Sequence, residues 1–165
     1  MHIIPFLLKE LEQEANTTRK FFKLLKPEDF QWKPHEKSMS IKQLSTHIAE
    51  LPSWIDLAVN TDGIDFQKTP YLPKEVNTAN DLLNILEASL KKASDALLSI
   101  RNEDDLLQTW TIQMGEQIIA VMTKFEAVRV SYKQTTHHRA QLGVYLRLLN
   151  IPVPQSYGPT ADEPF

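Results

Sequence analysis

The side chains best suited to chemistry in this 165-residue sequence are its five histidines, and their spacing separates them. His47 lies beside Ile48, with Leu44 and Leu51 three before and four after it. It falls one residue off the centre of an apolar helical stripe, so its ring is expected to point inward. There it is either a core histidine satisfied by one hydrogen bond or a ligand. His137 and His138 lie within a later helical stretch, where neighbouring residues diverge by about 100°. Only one of them can share a face with His47. Gln134 precedes His138 by four residues, which stacks the two side chains on one face. Two donors four apart on one helix, facing an imidazole from another, can clamp one divalent metal from two walls. The amide oxygen of Gln134 is the weaker and harder donor of the set. The candidate ligands are therefore His47, Gln134 and His138. His2 is terminal and expected to be solvated. His35 reads as a surface or capping residue, and Glu50 as a carboxylate either near the site or solvated.

Other chemistries are excluded. Cysteine is absent, which removes disulfides, thiolate metal sites and a cysteine nucleophile. There is no nucleophilic serine motif, phosphate loop or dinucleotide fingerprint. A formal net charge of −3 gives no support for nucleic-acid binding. No uncharged apolar run approaches the roughly 18 residues of a membrane span. The apolar start, Met1 to Leu8, lacks a basic segment and is interrupted by Lys9 and Glu10. It does not read as a signal peptide, and a cytoplasmic protein is expected.

The elements that must position these residues are helices. Ile4, Leu8, Leu11, Ala15, Phe22 and Leu25 mark the first, with Thr18 filling the gap in the stripe and Pro27 ending it. Ser40 is the expected N-cap of the second, whose stripe is Ile41, Leu44, Ile48, Leu51 and Ile55; Pro52 should kink it about one turn earlier. Gly63, Pro70 and Pro73 mark a long loop. Thr78 or Asn80 caps the third helix, striped by Leu83, Leu86, Leu90, Ala93, Leu97 and Ile100. The segment 106–122 is expected to hold a small hairpin that turns at Gly115-Glu116, with any strand confined to it. The fourth helix runs from about Thr123 to Leu149, with Phe125, Val128, Tyr132, Leu142, Leu146 and Leu149 on its core face. The tail to Phe165 is extended and packed on the helices. All of this predicts one all-α domain over residues 1–165: a four-helix bundle with a possible β-hairpin before the last helix.

The combination resembles the DinB-like family of four-helix bundle proteins. Trp32-Lys33-Pro34-His35 through Ser40 leads into Leu44-Ser45-Thr46-His47 and on to Pro52. Then come His137-His138-Arg139-Ala140-Gln141-Leu142 and Val144 to Leu149, and finally Val153-Pro154, Tyr157-Gly158-Pro159 and Ala161-Asp162-Glu163. The match spans most of the chain, in order. The resemblance implies an up-down-down-up bundle, often a homodimer, and a divalent metal, commonly nickel or zinc, held by three histidines. Carried over, His47 matches the first ligand and His138 the last. The middle ligand falls on Gln134, a departure that weakens metal binding. Ala140 stands where glycine is common.

Three functions follow as expectations. The first is a metal-dependent enzyme, transferring a low-molecular-weight thiol or hydrolysing a small substrate at the metal; the wider superfamily includes thiol transferases and maleylpyruvate isomerases. The second is a non-catalytic, stress-associated protein that binds a metal or small ligand. The third is a bundle with a degenerate metal site.

Overall fold

Three of the long helical stretches begin at a hydroxyl that the sequence supplies. Ser40 accepts from the backbone of Gln43 at 3.2 Å while its own N–H donates to Gln43 Oε1 at 2.9 Å. Thr78 with Asp81, and Thr123 with Glu126, repeat the arrangement. Each pair satisfies donors that a helix start leaves unpaired. The first helix has Pro5 in its first turn instead, and the N–H groups of Ile3 and Ile4 go to Glu103 Oε1 at 2.8 and 3.3 Å. The structure, a computed structural model, describes residues 2–72 and 74–164. The expectations that touch Met1, Pro73 and Phe165 lie outside the described residues.

Among the described residues there are five α-helices: α1 (Ile4–Phe22), α2 (Ile41–Glu50), α3 (Ser53–Asn60), α4 (Ala79–Ser99) and α5 (Lys124–Leu148). The expected second helix is thus two. Pro52 brings no N–H, and instead of a kink one turn earlier the chain starts a new helix there. The Leu51 carbonyl accepts from Trp54 N at 3.0 Å and from Ser131 Oγ at 2.8 Å, so the break is closed by bonds.

α1 packs on α4 and α5, and the α2–α3 rod packs on the same two. Direction follows from contacts at one end. The start of α1 meets Glu103, just past α4, and Lys124 Nζ at the start of α5 donates to Val59 O near the end of α3 at 3.2 Å. So α1 and α5 begin where α3 and α4 finish, and the rods run up, down, down, up.

The all-α expectation needs correcting. A three-stranded sheet closes that same end, in the order β1 (Gly63–Asp65), β2 (Thr109–Met114), β3 (Gln117–Thr123). The hairpin β2–β3 is where it was expected and turns at Gly115, whose φ is +60°. Strands are not confined to 106–122, because β1 joins β2 in parallel from the stretch read as loop. Gly63 permits this close approach, since a Cβ there would lie 2.3 Å from the Thr111 carbonyl oxygen. Asp65 then binds the turn, accepting from Gly115 N at 2.9 Å. Trp110, 1% exposed, fills the space between sheet and helices, and its Nε1 donates to Thr61 Oγ1 at 3.1 Å.

The stripes of α2 and α3 face the core as expected, Ile41, Leu44, Ile48, Leu51 and Ile55 all being buried. Elsewhere adjacent residues exchange places. Leu7 rather than Leu8 and Leu82 rather than Leu83 are fully inside. The stripe of α5 is Val128, Tyr132, Thr135, Arg139, Leu142 and Leu146, while Phe125 and Leu149 are only half-buried. Arg139 is 2% exposed. Its Nη2 pairs with Glu14 Oε2 at 2.6 Å, and its Nη1 donates to the Glu14 carbonyl at 3.0 Å and to Thr18 Oγ1 at 3.1 Å. Tyr157, in the extended tail, accepts from Arg139 at 2.9 Å and donates to the Glu14 carboxylate at 2.8 Å.

A buried ion pair stripped of one partner leaves the other charge desolvated and unpaired. Arg139→Met should therefore destabilise the fold by about 3–5 kcal/mol. Glu14→Met combined with Arg139→Met should recover most of that loss, because no lone charge remains. Urea unfolding of both variants checks this; equal destabilisation by the single and double substitutions would contradict it.

Candidate metal centre between α2 and α5

Two contacts fix α5 against α2. The Ser131–Leu51 bond sets their axial register. His47 lies one turn before Leu51, about 6 Å along α2, and His138 seven residues beyond Ser131, about 10 Å along α5. The helices are antiparallel and side chains lean toward each helix N-terminus, which closes the difference. The rotation of α5 is set by Arg139, turned toward α1, and this directs the neighbouring His138 toward α2.

The two imidazoles meet accordingly. Their ring centroids lie 4.7 Å apart with planes at 79°. Both rings are half-buried. The His47 ring is held below its ordinary pKa of 6.5, first by burial and then by the neighbouring His138, so it is neutral at pH 7. His138 Nδ1 is 2.8 Å from Gln141 Oε1. A carbonyl oxygen only accepts, so Nδ1 is the donor in this contact.

The remaining candidates divide. Gln134 stands one turn before His138 on the same face and is exposed. No group of three His, Cys, Asp or Glu able to hold a metal occurs among the described residues. His137 is exposed, its ring 4.9 Å from that of His138, and it lines a separate open groove with Glu10 and Arg129. Glu50 is not free: Tyr71 donates to it at 2.7 Å, and burial, then this bond, raises the Tyr71 pKa. His35 is exposed, and its Nδ1 accepts from Lys37 N at 3.1 Å within the turn before α2, in line with the surface part of the expectation. His2 is exposed.

Sequence reasoning missed Gln141, although its position three residues after His138 was a usable signal. It also missed Thr46, next to His47, which is 3% exposed and whose Oγ1 has no hydrogen-bond partner among the described residues. No spacing rule signals that.

The DinB family model matches residues 5–164. Solved crystal structures share the fold. A DinB-like protein from Bacillus subtilis superposes with a TM-score of 0.71 at 16% identity, over 91% of this chain and 96% of that one. A DinB-like protein from Bacillus cereus gives 0.69 at 18% identity, over 92% and 95%. A mycothiol-dependent maleylpyruvate isomerase gives 0.59 at 12% identity, over 85% of this chain and 60% of that one. No curated protein matches this chain.

A histidine whose pKa is lower folded than unfolded binds fewer protons in the native state, so stability falls with pH below about 6.5. His47→Asn should flatten that part of the stability curve. Proton NMR should show the His47 ring titrating below 6.5; a value at or above it would contradict the desolvated setting.

Proposed function

This chain belongs to the DinB family, and from that premise we propose that it is a metal-dependent enzyme. It acts on a small molecule, by thiol transfer or hydrolysis, at a divalent metal held between α2 and α5 by His47, His138 and, more weakly, Gln134. The single observation that carries this reading is the meeting of the two rings. Imidazoles sharing one metal at the bond lengths of zinc keep their centroids about 4.5 Å apart at a right angle and about 5.2 Å apart at the tetrahedral angle, and here the separation, 4.7 Å, lies between the two. The donor set fits a metal held by two strong ligands and one weak one.

Each residue has a defined task in this reading. Gln141 holds the His138 proton on Nδ1 and turns Nε2 toward the shared space. Burial keeps His47 neutral, the state in which imidazole binds metal. Gln134 supplies an amide oxygen from the same wall as His138. Nickel or zinc, when bound, would supply Lewis acidity that lowers the pKa of a coordinated water or thiol. The thiol-transfer form draws on the fold shared with the mycothiol-dependent isomerase. A cytoplasmic homodimer belongs to the same proposal and rests on the family resemblance; light scattering showing only monomer at high micromolar concentration would remove it.

A second reading has its own support. Gln134 is exposed, and among the described residues no third His, Asp or Glu completes a metal-holding group with the pair, which favours a non-catalytic binding protein or a degenerate metal site. Zinc and nickel titration of protein purified without an affinity tag separates these. The enzyme reading expects stoichiometric binding that His47→Ala or His138→Ala abolishes, with helical circular dichroism unchanged. Gln134→His should tighten binding at least tenfold, and Gln141→Leu should weaken it about 10–100-fold. Failure of Gln134→His to tighten binding would remove Gln134 from the ligand set. Absence of any metal binding would leave the degenerate site. A screen for thiol transfer then separates enzyme from binding protein.

A further inference from the structure

His47 also borders a cleft of about 490 Å³ on the outer side of α2. Met39, Lys42, Gln43, Thr46 and His47 line one wall, at the i, i+3, i+4, i+7 and i+8 spacing of a single helical face. Tyr71 and Lys74, from the segment leading to α4, form the other wall. The Tyr71–Glu50 hydrogen bond ties that segment to α2.

Three features of the cleft point to one ligand chemistry. Lys42 and Lys74 face it from opposite walls, and among the described residues neither is ion-paired. The acids nearby have other partners. Glu50 is taken by Tyr71, and Asp81, which faces Lys42, accepts from the Asn77 and Thr78 backbones. Glu75, which lines the cleft beside Lys74, accepts from Asn77 Nδ2 at 3.4 Å, so the lining carries two lysines and one carboxylate. Thr46, 3% exposed, also lines the cleft, and among the described residues its hydroxyl has no partner. Ser45 beside it takes the ordinary helical option, donating to the Ile41 carbonyl at 2.6 Å. Met39 and the Tyr71 ring add apolar surface, 44% and 60% exposed.

We propose that this cleft binds a small organic carboxylate with an apolar body. The carboxylate sits between Lys42 and Lys74, the apolar body rests on Met39 and Tyr71, and the Thr46 hydroxyl, covered in the unliganded cleft, turns about its Cα–Cβ bond to donate to one carboxylate oxygen. This deepens the reading of the His47–His138 pair as a reactive centre, because the ligand would lie against His47. It rests on that reading for its catalytic meaning alone; the binding stands or falls on the cleft residues.

The test titrates phenylacetate into the full chain, followed by calorimetry and by amide NMR shifts, once with zinc and once with chelator. Phenylacetamide is the uncharged control. Saturable phenylacetate binding is expected, with shifts at Thr46, His47 and Tyr71, and about tenfold weaker binding of phenylacetamide. Lys42→Gln and Lys74→Gln should each weaken phenylacetate severalfold and leave phenylacetamide unchanged. Thr46→Val should weaken phenylacetate about fivefold while the unfolding temperature stays level or rises, because an unpartnered hydroxyl is removed. That combination separates a ligand contact from a packing role. Equal affinity for acid and amide, or no binding of either, would overturn the proposal. Undiminished binding by Thr46→Val would overturn the part assigned to Thr46. Binding in chelator without any metal uptake would support the cleft while the metal reading failed; metal uptake without phenylacetate binding would do the reverse.

Discussion

Arg139 is a cation inside an apolar bundle, and the placement of α5 follows from it. A desolvated guanidinium is tolerable only with its hydrogen bonds made and its charge countered. Here Glu14 supplies the carboxylate and a carbonyl, and Thr18 and Tyr157 supply hydroxyl oxygens. Rotating α5 by even a fraction of a turn would break this set. The helix is therefore locked in azimuth by polar bonds as well as by its apolar stripe, which is interrupted by Ser131, Thr135 and Arg139. The Ser131–Leu51 bond locks it along its axis. With both coordinates fixed, His138 has one place to go, and His47 is there. The same ion pair recruits the tail, whose Tyr157 completes it while Asp162 pairs with Arg147 farther along.

The electrostatics of the pair agree with its geometry. Two imidazoles at 4.7 Å would repel if both were protonated, and burial of the His47 ring already disfavours its charge. Gln141 fixes which nitrogen of His138 keeps its proton. The surroundings thus disfavour charge on the His47 ring and orient the His138 ring.

Much of this was legible in the sequence, and the exceptions have physical reasons. The caps Ser40, Thr78 and Thr123 and the hairpin turn at Gly115 are local, so short patterns reveal them. The inward turn of His47 was legible from its place beside the apolar stripe, whereas helical spacing left His137 and His138 as alternatives and the family resemblance singled out His138. Choosing Leu8 over Leu7 and Leu83 over Leu82 went wrong because adjacent leucines satisfy the same period, and only packing against a neighbour decides. β1 was hidden because its pairing with β2 spans the whole of α4, and its signal, Gly63, reads equally as a loop. Arg139 was invisible for a different reason. Arginine is rarely buried, and its exception depends on Glu14 and Tyr157, which are more than a hundred residues apart.

The distribution of local cost across the molecule bears on where function resides. Most polar groups that the fold buries are satisfied. Ser45 and Thr135 bond the preceding helical turn, Ser131 bonds Leu51, Lys124 bonds Val59, and Arg139 has its full set. The exceptions are neighbours on α2. Among the described residues the Thr46 hydroxyl has no partner, and next to it His47 keeps a half-buried ring against another imidazole. Valine at the first position and leucine at the second would pack in the same space without either cost. Sequences that satisfy local rules nearly everywhere tend to break them where a ligand must be met. Here the two breaks are consecutive residues. One turns to α5 and the other to the cleft, so α2 is the wall on which a metal and an organic ligand would meet.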